Sequence, residues 1–133
     1  MQRKQARENA FILIFEKMFK SDETCEEIFQ KATELRGLEY DDYVKKVFFG
    51  TNECEEMLRS MVESHSIGWR LERISPVSMS LIKLALYEML FMDDIPAKVS
   101  INEAVLLSKK YDDEKSYAFV NGILNAALVE IGK

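Results

Sequence analysis

The sequence predicts an all-α fold, and three observations carry that prediction. Apolar residues recur at three- and four-residue steps along most of the chain, the period of one buried helical face. Only five Gly and two Pro stand among 133 residues, too little turn material for a sheet with many hairpins. No segment reads as a strand, and no repeat or low-complexity tract interrupts the pattern.

A first helix is predicted over Arg3–Phe19, with Ala6, Ala10, Leu13, Ile14 and Met18 on its buried side. Ser21 and Asp22 offer caps for a second helix that runs to about residue 35 and is ended by Gly37. Asp41 or Asp42 caps a third, running toward His65, whose apolar set is Val44, Val47, Phe48, Met57, Leu58, Met61 and Val62. Gly50 and the β-branched Thr51 place a kink near its middle. A short irregular piece over residues 66–74 follows. Ser75-Pro76 then supplies an N-cap with proline at the first helical position, where its missing N–H costs nothing. The helix it opens, to about Met92, is apolar on nearly every side through Leu81, Ile82, Leu84, Ala85, Leu86, Met89 and Leu90, which predicts a central position. Residues 93–96 break it. Ser100-Ile101-Asn102-Glu103 reads as a capping box for a sixth helix ending near Tyr111. Asp112 and Asp113 start the last helix, to about Ile131, and Gly122 within it predicts the close approach of another helix or, second to that, of a ligand backbone.

The length fits one domain, residues 1–133, large enough to bury a core without staples. No apolar run approaches a membrane span, and Arg3, Lys4 and Arg7 precede no signal-peptide core, so a cytoplasmic protein is expected. Cys25 and Cys54 form no CxxC or zinc-like spacing and read as reduced, buried thiols.

The net charge of −5 opposes wrapping of a nucleic acid, but the charges are unevenly distributed. Residues 1–7 hold three bases and no acid, which leaves −8 for the remainder, and residues 21–64 hold twelve acids against five bases. A basic tip on an acidic body suggests a local nucleic-acid contact and a second surface for a basic partner. Arg3, Lys4 and Arg7 stand at i, i+1 and i+4, on one side of the first helix. Cations there oppose the helix dipole at a cost of a few tenths of a kcal/mol each, a cost that an anionic ligand offsets.

No catalytic constellation stands beside this tip. The single histidine, His65, has no sequence-adjacent partner and reads as a helix C-terminal residue. Glu53, Glu55 and Glu56, and likewise Asp112, Asp113 and Glu114, read as solvated faces or helix starts. HExxH, GxSxG, GxGxxG and P-loop patterns are missing. The expectation is a binding protein, with no enzymatic activity, no metal and no cofactor.

Five segments stand in the order seen in one family: residues 3–8 (RKQARE), 69–74 (WRLERI), 84–88 (LALYE), 94–104 (DIPAKVSINEA) and 119–124 (FVNGIL). Through them the chain resembles the NusB family of bacterial transcription antitermination factors from end to end. The resemblance implies about seven helices in two packed helical bundles, with residues 69–74 supplying an extra short helix and Trp69 a structural anchor. It implies binding, together with ribosomal protein NusE, to single-stranded boxA RNA of nascent ribosomal transcripts. Other Nus factors and RNA polymerase complete the antitermination complex.

By the same resemblance Arg3, Lys4 and Arg7 contact RNA phosphates. Tyr111, Lys115 and Phe119 form the second RNA surface, the aromatics stacking on bases. Phe15 and Ser78 edge the NusE patch. Gln5 stands where the family often carries another base, and Ala97 where an aromatic is common. The competing reading is a helical protein–protein module or homodimer without RNA binding.

Overall fold

A computed structural model describes residues 1–66 and 73–133; the expected short helix at 69–74 and the Trp69 anchor fall largely outside them. Among the described residues there are α-helices and one π-helical turn, with no strand, as the sequence predicts. The helices are α1 (Arg3–Phe19), α2 (Cys25–Gln30), α3 (Asp42–Glu53), α4 (Glu55–His65), α5 (Pro76–Phe91), α6 (Ala97–Tyr111) and α7 (Ser116–Ile131). They group into two compact units, residues 1–53 and 54–133.

In the first unit α1 packs on α3 and α2. Ala6, Ala10, Leu13 and Ile14 of α1 meet a core completed by Ile28, Ala32, Val44, Val47 and Phe48, all buried. The second helix starts later than the sequence suggests. Thr24, not Ser21 or Asp22, is its cap: Thr24 Oγ1 accepts from the Glu27 N–H at 3.1 Å, and Glu27 Oε1 accepts from the Thr24 N–H at 3.0 Å. A π-helical turn, Lys31–Leu35, extends it to the predicted stop, where Gly37 takes φ +70°. Asp41 proves to be the cap of α3, its Oδ1 accepting from the Val44 N–H at 3.0 Å. The single long third helix is two helices, and the break lies at Cys54. Gly50 is buried, and the Thr51 hydroxyl donates back to the Val47 carbonyl at 2.8 Å, so α3 continues through the expected kink.

In the second unit α5 is central, packed by α4, α6 and α7. Every residue from Ser78 to Met89 is buried. Two of these are charged. Lys83 Nζ reaches Glu55 Oε2 of α4 at 2.8 Å, and Glu88 Oε1 accepts from the Ser100 hydroxyl of α6 at 2.7 Å. That last bond corrects the predicted capping box. The helix α6 begins at Ala97, behind Pro96, so Ser100 lies inside it and spends its hydroxyl on the core. Gly122 is a second correction: it is exposed, a Cβ there would meet nothing within 4 Å, and no helix approaches it among the described residues.

Candidate nucleic-acid and partner interface

The N-terminal tip is built on α1 and α3. No acidic side chain stands in the first turn of α1, and Gln2 makes no side-chain cap. Arg3 and Lys4 are exposed. Arg7 is not: it is 2% exposed, one turn further into the helix and facing α3. Both guanidiniums lie over the buried Tyr43 of α3, with carbon-to-centroid distances of 4.5 Å for Arg3 and 5.9 Å for Arg7. Tyr43 stands outside the apolar set read from the sequence, which gives no signal for this platform. Burial changes what Arg7 can do. It holds the Tyr43 platform and adds positive potential beneath the tip, and the solvent-facing cations are Arg3 and Lys4.

Phe15 is half-buried in an aromatic ladder along α1, 6.0 Å from Phe11 and 5.0 Å edge-on to Phe19. Phe19, 63% exposed, is the solvent-facing end of that ladder. Its i+4 spacing from Phe15 is the feature through which the sequence could have nominated it.

In the second unit a cleft of about 580 Å³ opens between the start of α5 and the start of α7. Lys115 and Phe119 line it together with Arg73, Ile74 and Ser75. It therefore offers two cations, the Asp113 carboxylate and an aromatic face against a partly apolar wall, so that the cations can meet an anionic group and the ring a flat one. Tyr111, 39% exposed at the end of α6, is outside the lining of the cleft, separated by the turn at residues 112–115. Arg73 is the cation that sequence reasoning passed over.

Ser78 also lines this cleft, but as a buried residue 2% exposed. Its hydroxyl donates to Asp112 Oδ2 at 3.1 Å and its N–H to Ser75 Oγ at 3.0 Å. The side chain of Ser78 is thus spent on contacts within the chain. Partial burial raises the Asp112 pKa, but hydrogen bonds from Ser75, the Asp113 N–H, Ser78 and Ser116 outweigh it and hold the carboxyl below its ordinary range.

Several further titratable groups are held in ion pairs or by burial. His65 pairs with Glu130 of α7, and Glu55 with Lys83 and Arg59. Burial pushes the Cys25 thiol up, away from the reactive thiolate, while Cys54 is half-exposed. Among the described residues no group of three His, Cys, Asp or Glu is placed to hold a metal ion, and no helix is long and apolar enough to cross a membrane.

The sequence model of the NusB family matches residues 4–128. The chain belongs to the NusB family. Among NusB relatives, the transcription antitermination protein NusB of Clostridium perfringens is 41% identical over 129 residues, covering 94% of this chain and 95% of its own. The solved NusB of T. maritima superposes with a TM-score of 0.86 at 33% identity, over 98% of this chain and 92% of that one. A crystal structure of antitermination factors NusB and NusE in complex with dsRNA matches at a TM-score of 0.84 and 28% identity, over 96% of both chains. The all-α NusB architecture inferred from the sequence is therefore the observed one.

Proposed function

We propose that residues 1–133 act as one NusB-like RNA-binding domain, a transcription antitermination factor of the cytoplasm that binds boxA RNA together with NusE. The observation that carries this reading is likeness along nearly the whole chain to NusB proteins named for antitermination, one of them solved with NusE and RNA. The two cationic places on the surface fit the same task. Arg3 and Lys4 supply phosphate contacts without sequence information, and the cleft at Lys115 and Phe119 supplies stacking and a further cation. Tyr111 adds a second exposed ring beside Lys110. Phe15 and Phe19 present an aromatic surface to NusE. RNA polymerase and other Nus factors join through this complex, and the chain itself performs no chemical step.

The test is fluorescence anisotropy with labelled boxA RNA, a scrambled RNA and double-stranded RNA, each with and without NusE. Preference for boxA over the scrambled strand, strengthened by NusE, is expected. Equal binding of all three, with NusE making no difference, overturns the reading. A homodimer in sedimentation combined with no RNA preference would leave a helical association module instead.

A further inference from the structure

The turn between α6 and α7 is held by two neighbouring carboxylates with different tasks. Asp113 Oδ1 accepts from the N–H groups of Lys115 and Ser116, both at 3.0 Å, and from the Ser116 hydroxyl at 2.9 Å, so it caps the start of α7. Asp112 faces the other way. Its backbone is extended, with φ −121° and ψ −177°. Its Oδ2 accepts from the Ser75 hydroxyl at 2.5 Å and from the Ser78 hydroxyl at 3.1 Å, while Oδ1 accepts from the Asp113 N–H at 2.9 Å. The carboxylate thus lies against the positive end of α5, a place that favours an anion. It also joins the C-terminus of α6, the first turn of α5 and, through Asp113, the start of α7.

We propose that Asp112 is a positioning residue for the RNA cleft: by tying the α6–α7 turn to the first turn of α5, it sets where Lys115 and Phe119 stand relative to Arg73 and Ser75. The inference rests on the RNA-binding reading above. Its sign is what makes it testable. A carboxylate within a Debye length of a phosphate-binding surface repels the ligand, so charge alone predicts that removing it strengthens RNA binding. Positioning predicts the opposite for any variant that releases the turn.

The variants are Asp112→Ala and Asp112→Asn. Asparagine removes the charge yet keeps a carbonyl acceptor and an amide donor for the two hydroxyls. Anisotropy with boxA RNA and amide chemical shifts of the free protein are the readouts. Asp112→Ala should lose at least about fivefold in affinity, the lower bound for one lost base stack, and should shift the Lys115 and Ser116 amides. Asp112→Asn should restore both the amides and the affinity. Tighter RNA binding by both variants reduces Asp112 to a repelling charge and overturns the proposal. So does unchanged binding with unchanged amides. If Asp112→Ala does not fold, Ser78→Ala removes one hydroxyl tie without touching the charge; it must move the same amides and weaken binding by about twofold or more, and no change in either overturns the proposal. Should the wild-type chain bind no RNA, the RNA reading fails by itself, and the amide shifts still decide whether Asp112 places the turn.

Discussion

If the N-terminal tip grips RNA through phosphates, the salt dependence of binding counts its contacts. Each contact to a single strand contributes a slope of about −0.7 in log affinity against log salt. Three cations in the sequence correspond to about −2.1. Arg7 is 2% exposed and packs over Tyr43, so the structure leaves Arg3 and Lys4 and a slope of about −1.4. Over a fourfold rise in salt, from about 50 to about 200 mM, the tip then accounts for about a sevenfold loss of affinity, against about eighteenfold for three contacts. Replacing Arg3 and Lys4 together by alanine should flatten the slope by about 1.4 and weaken boxA and scrambled RNA alike. Arg7→Ala should leave the slope unchanged and instead destabilise the fold by about 1–3 kcal/mol, through loss of stem packing and of the aromatic contact. Anisotropy titrations at several salt concentrations, paired with urea unfolding of each variant, separate the two. A slope flattened by Arg7→Ala at an unaltered urea midpoint would show that Arg7 reaches the RNA. An unchanged slope in the double variant would show that the tip is only a solvated helix start.

Two further outcomes concern the fold. Gly122→Ala should raise stability by about 1 kcal/mol in urea unfolding, because the added methyl meets open space in a helix interior where glycine is a poor former; a loss of NusE or RNA binding in that variant would reveal an occupant of this face. Partial burial raises the Glu16 pKa, but Arg36 at 2.6 Å and Lys20 at 2.6 Å outweigh it and hold the carboxyl below its ordinary value. The stabilisation is then present above about pH 4.5 and lost as pH falls through the lowered value, so the stability gap between the wild type and Glu16→Gln should narrow as the pH is taken progressively below about 4.5; a gap constant throughout the acid range would mean that the ion pairs do not form in solution.

What was legible in the sequence depended on whether the deciding contact was local. The first helix follows from its own apolar period, and the Ser75-Pro76 start from two adjacent residues. The Thr24–Glu27 capping box was equally local and was overlooked in favour of Ser21 and Asp22. Ser100 failed for the opposite reason, since the pattern was present but its hydroxyl answers Glu88, twelve residues away on another helix. The same holds for the site. Exposure of Arg3, Lys4 and Lys115 follows from charge, but the burial of Arg7 and Ser78 depends on Tyr43 and Asp112, each more than thirty positions distant in sequence. Periodicity names a face, and only packing says which of its charges is covered.

The Glu88–Ser100 bond has a consequence for how the second unit can vary. Sliding α6 along α5 by one turn would set its buried Ile101, Ala104 and Leu107 against other side chains of the almost wholly buried α5. It would carry the hydroxyl away from a carboxyl that is completely enclosed, and a hydrogen bond lost there is not replaced by water. The pair therefore adds a directional constraint on register to the burial of apolar surface. A change to either member alone gives up this bond, whereas a concerted exchange of both for apolar residues would keep the helices together while removing the tooth that helps fix their register.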